Sequence, residues 1–265
     1  MNFKRLLIIA DLHCGHRVGL TPPKYMSAIP GEKFYRIQNE CWEKYTEWID
    51  AINKDHVPDL LIVNGDATEG KGNRSGGNEL LTTDRIKQAR MAAECIDYCK
   101  AKEIRLVRGT PYHTGVDEDF ENVIVSELGI PNKNIEDYAW LDINGVIFSI
   151  RHFVNSSSIP HGRFTALARN KLWNIIWNNE HELQPDANFI VRSHVHYCVF
   201  CGEGTKWQAI TTPALQAAAT KYGALRCEGM VHFGLLYYDI YSDGRVEEHK
   251  CIKPVQTIKV IPTVV

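Results

Sequence analysis

Five short apolar runs, each stopping at an Asp, a His or both, constrain this chain more than any other feature of it. Runs of this length that are rich in β-branched residues read as buried strands. Residues 4–10 stop at Asp11 and His13, and residues 59–63 at Asn64-Gly65-Asp66. Residues 104–107 lead to Gly109-Thr110-Pro111-Tyr112-His113, and the run ending at Ile150 leads to Arg151-His152. The fifth run, residues 189–191, leads to Arg192-Ser193-His194-Val195-His196. In open α/β sheets, ligands gather beyond the carboxyl ends of the strands. If these strands are neighbours, their ends converge into a cluster of carboxylates and imidazoles, a donor set for Mn, Fe or Zn rather than calcium.

The intervening segments alternate with these runs. In residues 35–53 the apolar positions Ile37, Cys41, Trp42, Tyr45, Trp48, Ile49 and Ile52 recur at helical spacing, so this is an amphipathic helix whose aromatic stripe is core. Further helices are predicted over residues 83–101, about 117–128 and 165–178. Gly129 stands just past the end of the third of these four. Asn144-Gly145, between two apolar segments, signals a hairpin. Residues 208–211, 231–241 and 246–253 read as strands, with a turn at Ser242-Asp243-Gly244. Strand–helix alternation in the first half gives a parallel sheet, and the hairpins of the second half add antiparallel or mixed strands. No repeat or low-complexity linker interrupts residues 1–265, so a single domain is expected.

Composition narrows the function classes. The formal net charge is -2, which implies no broad basic face and argues against long tracking along a duplex. A nucleic-acid substrate stays compatible, because bound divalent cations add local positive charge. No apolar run reaches transmembrane length, and residues 1–10 do not read as a signal peptide. The eight cysteines are scattered, and Cys198-x-x-Cys201 has no second pair to complete a zinc ribbon. A cytoplasmic protein with reduced thiols is expected. The glycine-rich residues 70–77 lack the Lys-[Ser/Thr] of a P-loop and read as a loop at the rim of the site.

The order Asp11-x-His13, Gly65-Asp66, Gly109-Thr110…His113, lone His152 and Ser193-His194-x-His196 resembles the calcineurin-like metallophosphoesterase family, whose pattern is D-x-H, G-D, G-N-H-[DE], a lone His and G-H-x-H. The resemblance implies a four-layer αββα sandwich of two mixed sheets. It implies a dinuclear centre of two divalent metal ions (Mn, Fe or Zn), with Asp11, His13 and His196 on one ion, His152 and His194 on the other, and Asp66 bridging them. The implied reaction is hydrolysis of a phosphate ester by metal-bound hydroxide.

Three departures qualify the match. Thr110, a candidate ligand of the second ion, stands where the family has a ligating Asn, and a neutral hydroxyl is a poorer ligand than an amide oxygen. Pro111 and Tyr112 separate Thr110 from His113, the candidate to steer the phosphate and protonate the leaving group. Ser193 replaces a family Gly. The protein-phosphatase motif G-D-x-x-D-R-G is absent, since Asp66 is followed by Ala67-Thr68-Glu69-Gly70. Phosphodiester substrates, nucleotide or nucleic acid, are therefore the expected class, as in a nuclease. A phosphomonoesterase and a non-catalytic metal-binding scaffold are the alternatives. Arg74, His161 and Arg163 are the candidate substrate-binding residues, with Lys221 and Arg226 as further anion-binding candidates. His16 is a candidate supporting group beside the cluster.

Overall fold

The structure is a computed structural model that describes residues 2–27, 32–115, 119–181, 183–202, 206–218, 220, 230–253 and 262–263, with the backbone alone for Arg74, Lys133 and His181. Two mixed sheets form its centre. The first has the order β11-β10-β1-β2-β3-β4, formed by Val246–Lys253, Phe233–Tyr241, Phe3–Ile9, Leu60–Asn64, Glu103–Val107 and Ile135–Glu136. The second has the order β5-β6-β7-β9-β8, formed by Ala139–Ile143, Val146–Ile150, Phe189–Arg192, Gln208–Thr211 and Phe200–Cys201. Strands β1 to β4 are mutually parallel, as are β6, β7 and β9. The remaining pairings are antiparallel.

Side-chain alternation divides the core into layers. In β1, Leu6 and Ile8 join Phe148, Ile150, Val191 and Tyr238 between the two sheets. Leu7 and Ile9 point the other way, toward Ile37, Cys41, Tyr45 and Ile49 of α1 (Lys33–Asp55) and Ala92 and Ile96 of α2 (Arg85–Asp97). The period of two along an extended strand dictates this division. On the outer face of the second sheet, Ile190 and Ala209 meet Leu167 of α5 (Thr165–His181). Helices thus cover both outer faces, giving the four-layer αββα sandwich expected above. Strands from both ends of the chain share the first sheet, and the second sheet is built from residues between them.

Local signals place most boundaries. Asp84 caps α2 by accepting from the Lys87 N–H at 3.1 Å. Asp119 caps α4 (Phe120–Leu128) through the N–H groups of Glu121 and Asn122, and Gly129 closes it at φ 66°. Asn144 and Gly145, at φ 56° and 80°, form the turn joining β5 to β6. Cys95 and Cys99 are both buried beneath α1, where the Tyr45 hydroxyl donates to the Cys95 carbonyl at 2.6 Å. Short pieces escaped the sequence reading: α3 (Pro111–Thr114), β4 and β8. Among the described residues no helix is long and apolar enough to cross a membrane.

Candidate metal centre

The carboxyl ends of β1, β2, β3, β6 and β7 meet at one edge of the sandwich, and chain beyond the strands continues their pairing. The N–H groups of Asp11, His13 and Cys14 donate to the carbonyls of Gly65, Asp66 and Ala67, each at 3.0 Å. Seven non-glycine residues among those described have positive φ, and five of them are Asp11, His13, Asp66, His194 and His196. Each such conformation costs on the order of 1–3 kcal/mol and persists only where the surroundings enforce it. The strain is concentrated where the polar side chains converge.

Two groups of donors result, and a third, His13, Glu69 and His113, shares His13 with the first. Ligand atoms of Asp11, His13 and His196 lie within 4.8 Å of one another, as do those of Asp66, His152 and His194. In the first group the Asp11 Oδ1 lies 3.2 Å from His196 Nε2 and 3.8 Å from His13 Nε2. In the second the Asp66 Oδ2 lies 3.0 Å from His152 Nε2 and 3.9 Å from His194 Nδ1. His152 joins the two groups, because its Nε2 is also 3.9 Å from Asp11 Oδ1. Two glycines permit this closeness. A Cβ on Gly65 would stand 2.4 Å from His152 Nδ1, and one on Gly109 2.2 Å from Asp66 Oδ1.

Neighbouring groups fix the rings. His13 Nδ1–H donates to Glu69 Oε2 at 2.9 Å, and His152 Nδ1–H to the Asn64 carbonyl at 2.7 Å. Each leaves its Nε2 facing the cluster, the arrangement by which outer groups orient metal-binding imidazoles. Burial alone would raise the Asp11 carboxyl, but His196, His13 and His152 hold it well below the usual range. Asp66 is likewise held low against burial by His152 and His113. Burial favours neutral rings, yet the carboxylates push His13 up to about 10 and His152 to about 9.

A family model for calcineurin-like phosphoesterases matches residues 4–198. The chain belongs to the calcineurin-like phosphoesterase family. It is a metal-dependent phosphoric ester hydrolase. No curated protein matches it. Among solved structures it is similar to a dimetal phosphatase from Danio rerio, with 12% identity over 94% of this chain and 98% of that one and a TM-score of 0.49. It is also similar to Vps29 from Chaetomium thermophilum, with 12% identity over 93% and 96% and a TM-score of 0.44. A third is a metallophosphoesterase from Sphaerobacter thermophilus, with 13% identity over 93% and 87% and a TM-score of 0.38.

The donor set fits the divalent metals that this family uses. Asp11 Oδ1 is buried with no hydrogen-bond partner among the described residues, a costly state that a cation relieves. His13 Nε2 and His196 Nε2 face each other at 3.2 Å, as two imidazoles aimed at one point do. Loading such donors with metal releases their protons.

The departures from the family pattern have local explanations. Thr110 donates to Asp66 from its N–H at 2.7 Å and from its hydroxyl at 3.1 Å, so it braces the carboxylate. Pro111 and Tyr112 are absorbed by the helical turn α3. This turn sets His113 Nε2 4.0 Å from Asp66 Oδ2. The His113 Nδ1–H donates to the Glu69 carbonyl at 2.6 Å, so a further proton would sit on Nε2, facing the cluster. Burial, with His13 nearby, lowers the His113 pKa. Ser193 is buried and ties the sheets together, accepting from Asn64 Nδ2 at 2.6 Å and meeting Thr212 Oγ1 at 2.8 Å.

The other candidates fare differently. His16 is buried and accepts from the Val18 N–H at 3.1 Å, outside the donor groups. Arg163 lies over the Tyr197 ring at 4.3 Å, and His161 is exposed in the short turn Pro160–Gly162. Neither belongs to the donor groups. The Arg74 side chain, Lys221 and Arg226 lie outside the described residues. Cys198 and Cys201 are free thiols. The 70–77 loop leaves the site beside His113 and is pinned at its base by Gln88, which exchanges hydrogen bonds with Gly70 at 2.9 and 3.0 Å.

Glu69 is the residue the sequence reading missed. Its carboxylate holds His13 and its carbonyl holds His113. The available signal was an acidic residue three positions after Asp66, which had served only to exclude the protein-phosphatase motif.

Two predictions follow from the packing around Asp66. Gly109→Ala would press a methyl group into the Asp66 carboxylate and backbone. We expect a loss of about 1–3 kcal/mol in stability together with lost metal, read by thermal melting and metal analysis. Glu121 accepts from the Gly109 N–H through both oxygens, at 3.1 and 3.2 Å. Burial, reinforced by the Asp66 charge, pushes its carboxyl up to about 8. An unfolded Glu titrates near about 4.3, so the folded state binds this proton more tightly. Stability from this group therefore falls as pH rises from about 4.3 toward 8. In chelator-treated protein, Glu121→Gln should melt increasingly above wild type as pH rises through that window. Parallel melting curves would contradict this.

Proposed function

We propose that this chain hydrolyses phosphodiesters of nucleotides or nucleic acid at a dinuclear divalent-metal centre. The observation that carries the reading is the convergence of two Asp/His groups, with His152 of the second reaching Asp11 of the first. Asp11, His13 and His196 would hold one ion, His152 and His194 the other, and Asp66 would bridge them, with Thr110 bracing Asp66. When bound, the two cations supply charge to polarise the phosphate and lower the pKa of a coordinated water. With Nδ1–H committed to the Glu69 carbonyl, His113 would pass a proton to the leaving oxygen through Nε2, and Glu69 keeps both His113 and His13 in place. Manganese suits this mixed oxygen and nitrogen donor set.

An exposed aromatic side chain supports a nucleotide substrate. The Phe153 ring is 47% exposed and lies 5.0 Å from the His194 ring, a face on which a base would stack near the metals. Sharing of the first sheet by both halves of the chain supports one metallophosphoesterase domain over residues 1–265. Free cysteines among the described residues support a reducing, cytoplasmic setting.

The test compares bis-p-nitrophenyl phosphate with p-nitrophenyl phosphate on manganese-reconstituted protein, with single-stranded DNA as a third substrate. Faster turnover of the diester and cutting of DNA are expected. Turnover of the monoester alone would make the chain a phosphomonoesterase, and turnover of none would favour a metal-binding scaffold.

A further inference from the structure

The strands that carry His152 and His194 have a second face. Ile150 and Val191 point between the sheets, while the next residues, Arg151 and Arg192, turn outward beneath α5. There they line a cavity of about 300 Å³ with Arg169, Trp173 and Trp177 of α5. Phe153 lines the same cavity and touches the His194 ring, so one side chain separates the cavity from the candidate metal centre.

Charge in this cavity is not balanced. Arg192 is 2% exposed, and its five N–H groups are satisfied by neutral acceptors. These are Asn170 Oδ1, the Ser149 and Val191 carbonyls, the Tyr138 hydroxyl and Ser149 Oγ, at 2.8 to 3.3 Å. A guanidinium stays cationic at neutral pH even when buried. Arg151 and Arg192 lie 5.5 and 5.4 Å from the same Tyr138 ring, and Arg151 Nε is buried without a partner among the described residues. A buried cation that has hydrogen bonds but no counter-charge is costly, and a bound anion offsets the cost. Trp173 and Trp177, 54% and 39% exposed, add ring faces at the mouth. A base stacks on such faces whatever its identity.

We propose that this cavity binds one nucleotide unit of the substrate, its phosphate against Arg151 and Arg169 in the field of Arg192 and its base on Trp173 or Trp177. The volume is at the small end of the roughly 300–1,000 Å³ of ligand sites, which suits a single nucleotide. The proposal rests on the phosphodiesterase reading and deepens it. The unit bound here adjoins the bond broken at the metals, so a substrate with a second phosphate one nucleotide away is preferred.

Calorimetric titration of the full chain in chelator reads the cavity without the metal centre. Adenosine 5′-monophosphate should bind with a Kd on the order of 1 mM or tighter, and adenosine and inorganic phosphate each at least about tenfold more weakly. Arg151→Gln and the exposed Arg169→Gln and Trp173→Ala, each confirmed folded by circular dichroism, should weaken the nucleotide by about tenfold or more. On manganese-loaded protein, the kcat/KM ratio of 5′-phosphorylated to unphosphorylated thymidine dinucleotide should exceed one and collapse in Arg169→Gln. No nucleotide binding to wild type, or equal binding by the folded variants, overturns the proposal. Nucleotide binding without hydrolysis of any diester would sink the diesterase reading and leave the nucleotide site standing.

Discussion

Asp66→Asn is expected to lower kcat on bis-p-nitrophenyl phosphate by about 10³-fold or more, the equivalent of several kcal/mol of lost charge stabilisation. The carboxylate lies at the centre of the site. One oxygen accepts from the Thr110 N–H and hydroxyl, and the other is 3.0 Å from His152 Nε2 and 4.0 Å from His113 Nε2. Asparagine keeps the shape but has one carbonyl oxygen, no charge, and an amide that must face either Thr110 or His152. Metal content should fall along with activity. A stability effect should accompany it in chelator-treated protein. Asp66 is held well below its ordinary pKa, so its contribution is present above the unfolded value and lost as pH falls toward the folded one. Wild type should therefore melt above the Asn variant at neutral pH, with the gap closing in acid. A variant with wild-type turnover and full metal content would remove Asp66 from the mechanism.

His113→Ala should lower kcat by about 10²–10⁴-fold, the range for loss of a positioned general acid, with metal stoichiometry unchanged. The His113 Nδ1 is committed to the Glu69 carbonyl, and its Nε2 faces Asp66 Oδ2 at 4.0 Å, farther than His152 Nε2 at 3.0 Å. Metal analysis and single-turnover rates on the same preparation check the prediction. Loss of metal with retained rate per bound metal would mean that His113 is a ligand instead.

The architecture was legible because the pattern and the physics agree. Strand ends carrying Asp11, Asp66, His152 and His194 can meet only if their strands run parallel, and the Asn144-Gly145 turn marks where antiparallel pairing begins. Two-residue strands such as β4 and β8 are too short to show alternation, so they could not be read. Strand order was hidden for a different reason: β10 reaches β1 only after the second sheet is built, a choice made by tertiary packing of Leu236, Tyr238 and Ile240. At the site, residues that point directly at the cluster were found, and those that act by holding another residue were not. Glu69 works through His13 and His113, and Ser193 through Asn64 and Thr212. Neither role leaves a spacing in the sequence. The Arg151–Arg192 cavity was invisible for the same reason, since it depends on α5 lying over the ends of β6 and β7.

Anomalous diffraction from manganese-loaded crystals tests the central claim most directly. Two peaks about 3.5–4 Å apart are expected, one within coordination distance of Asp11, His13 and His196, the other of His152 and His194, with Asp66 reaching both. A single peak, or manganese bound instead at the separate Asp239, Glu247 and His249 group, would contradict a dinuclear centre at these strand ends.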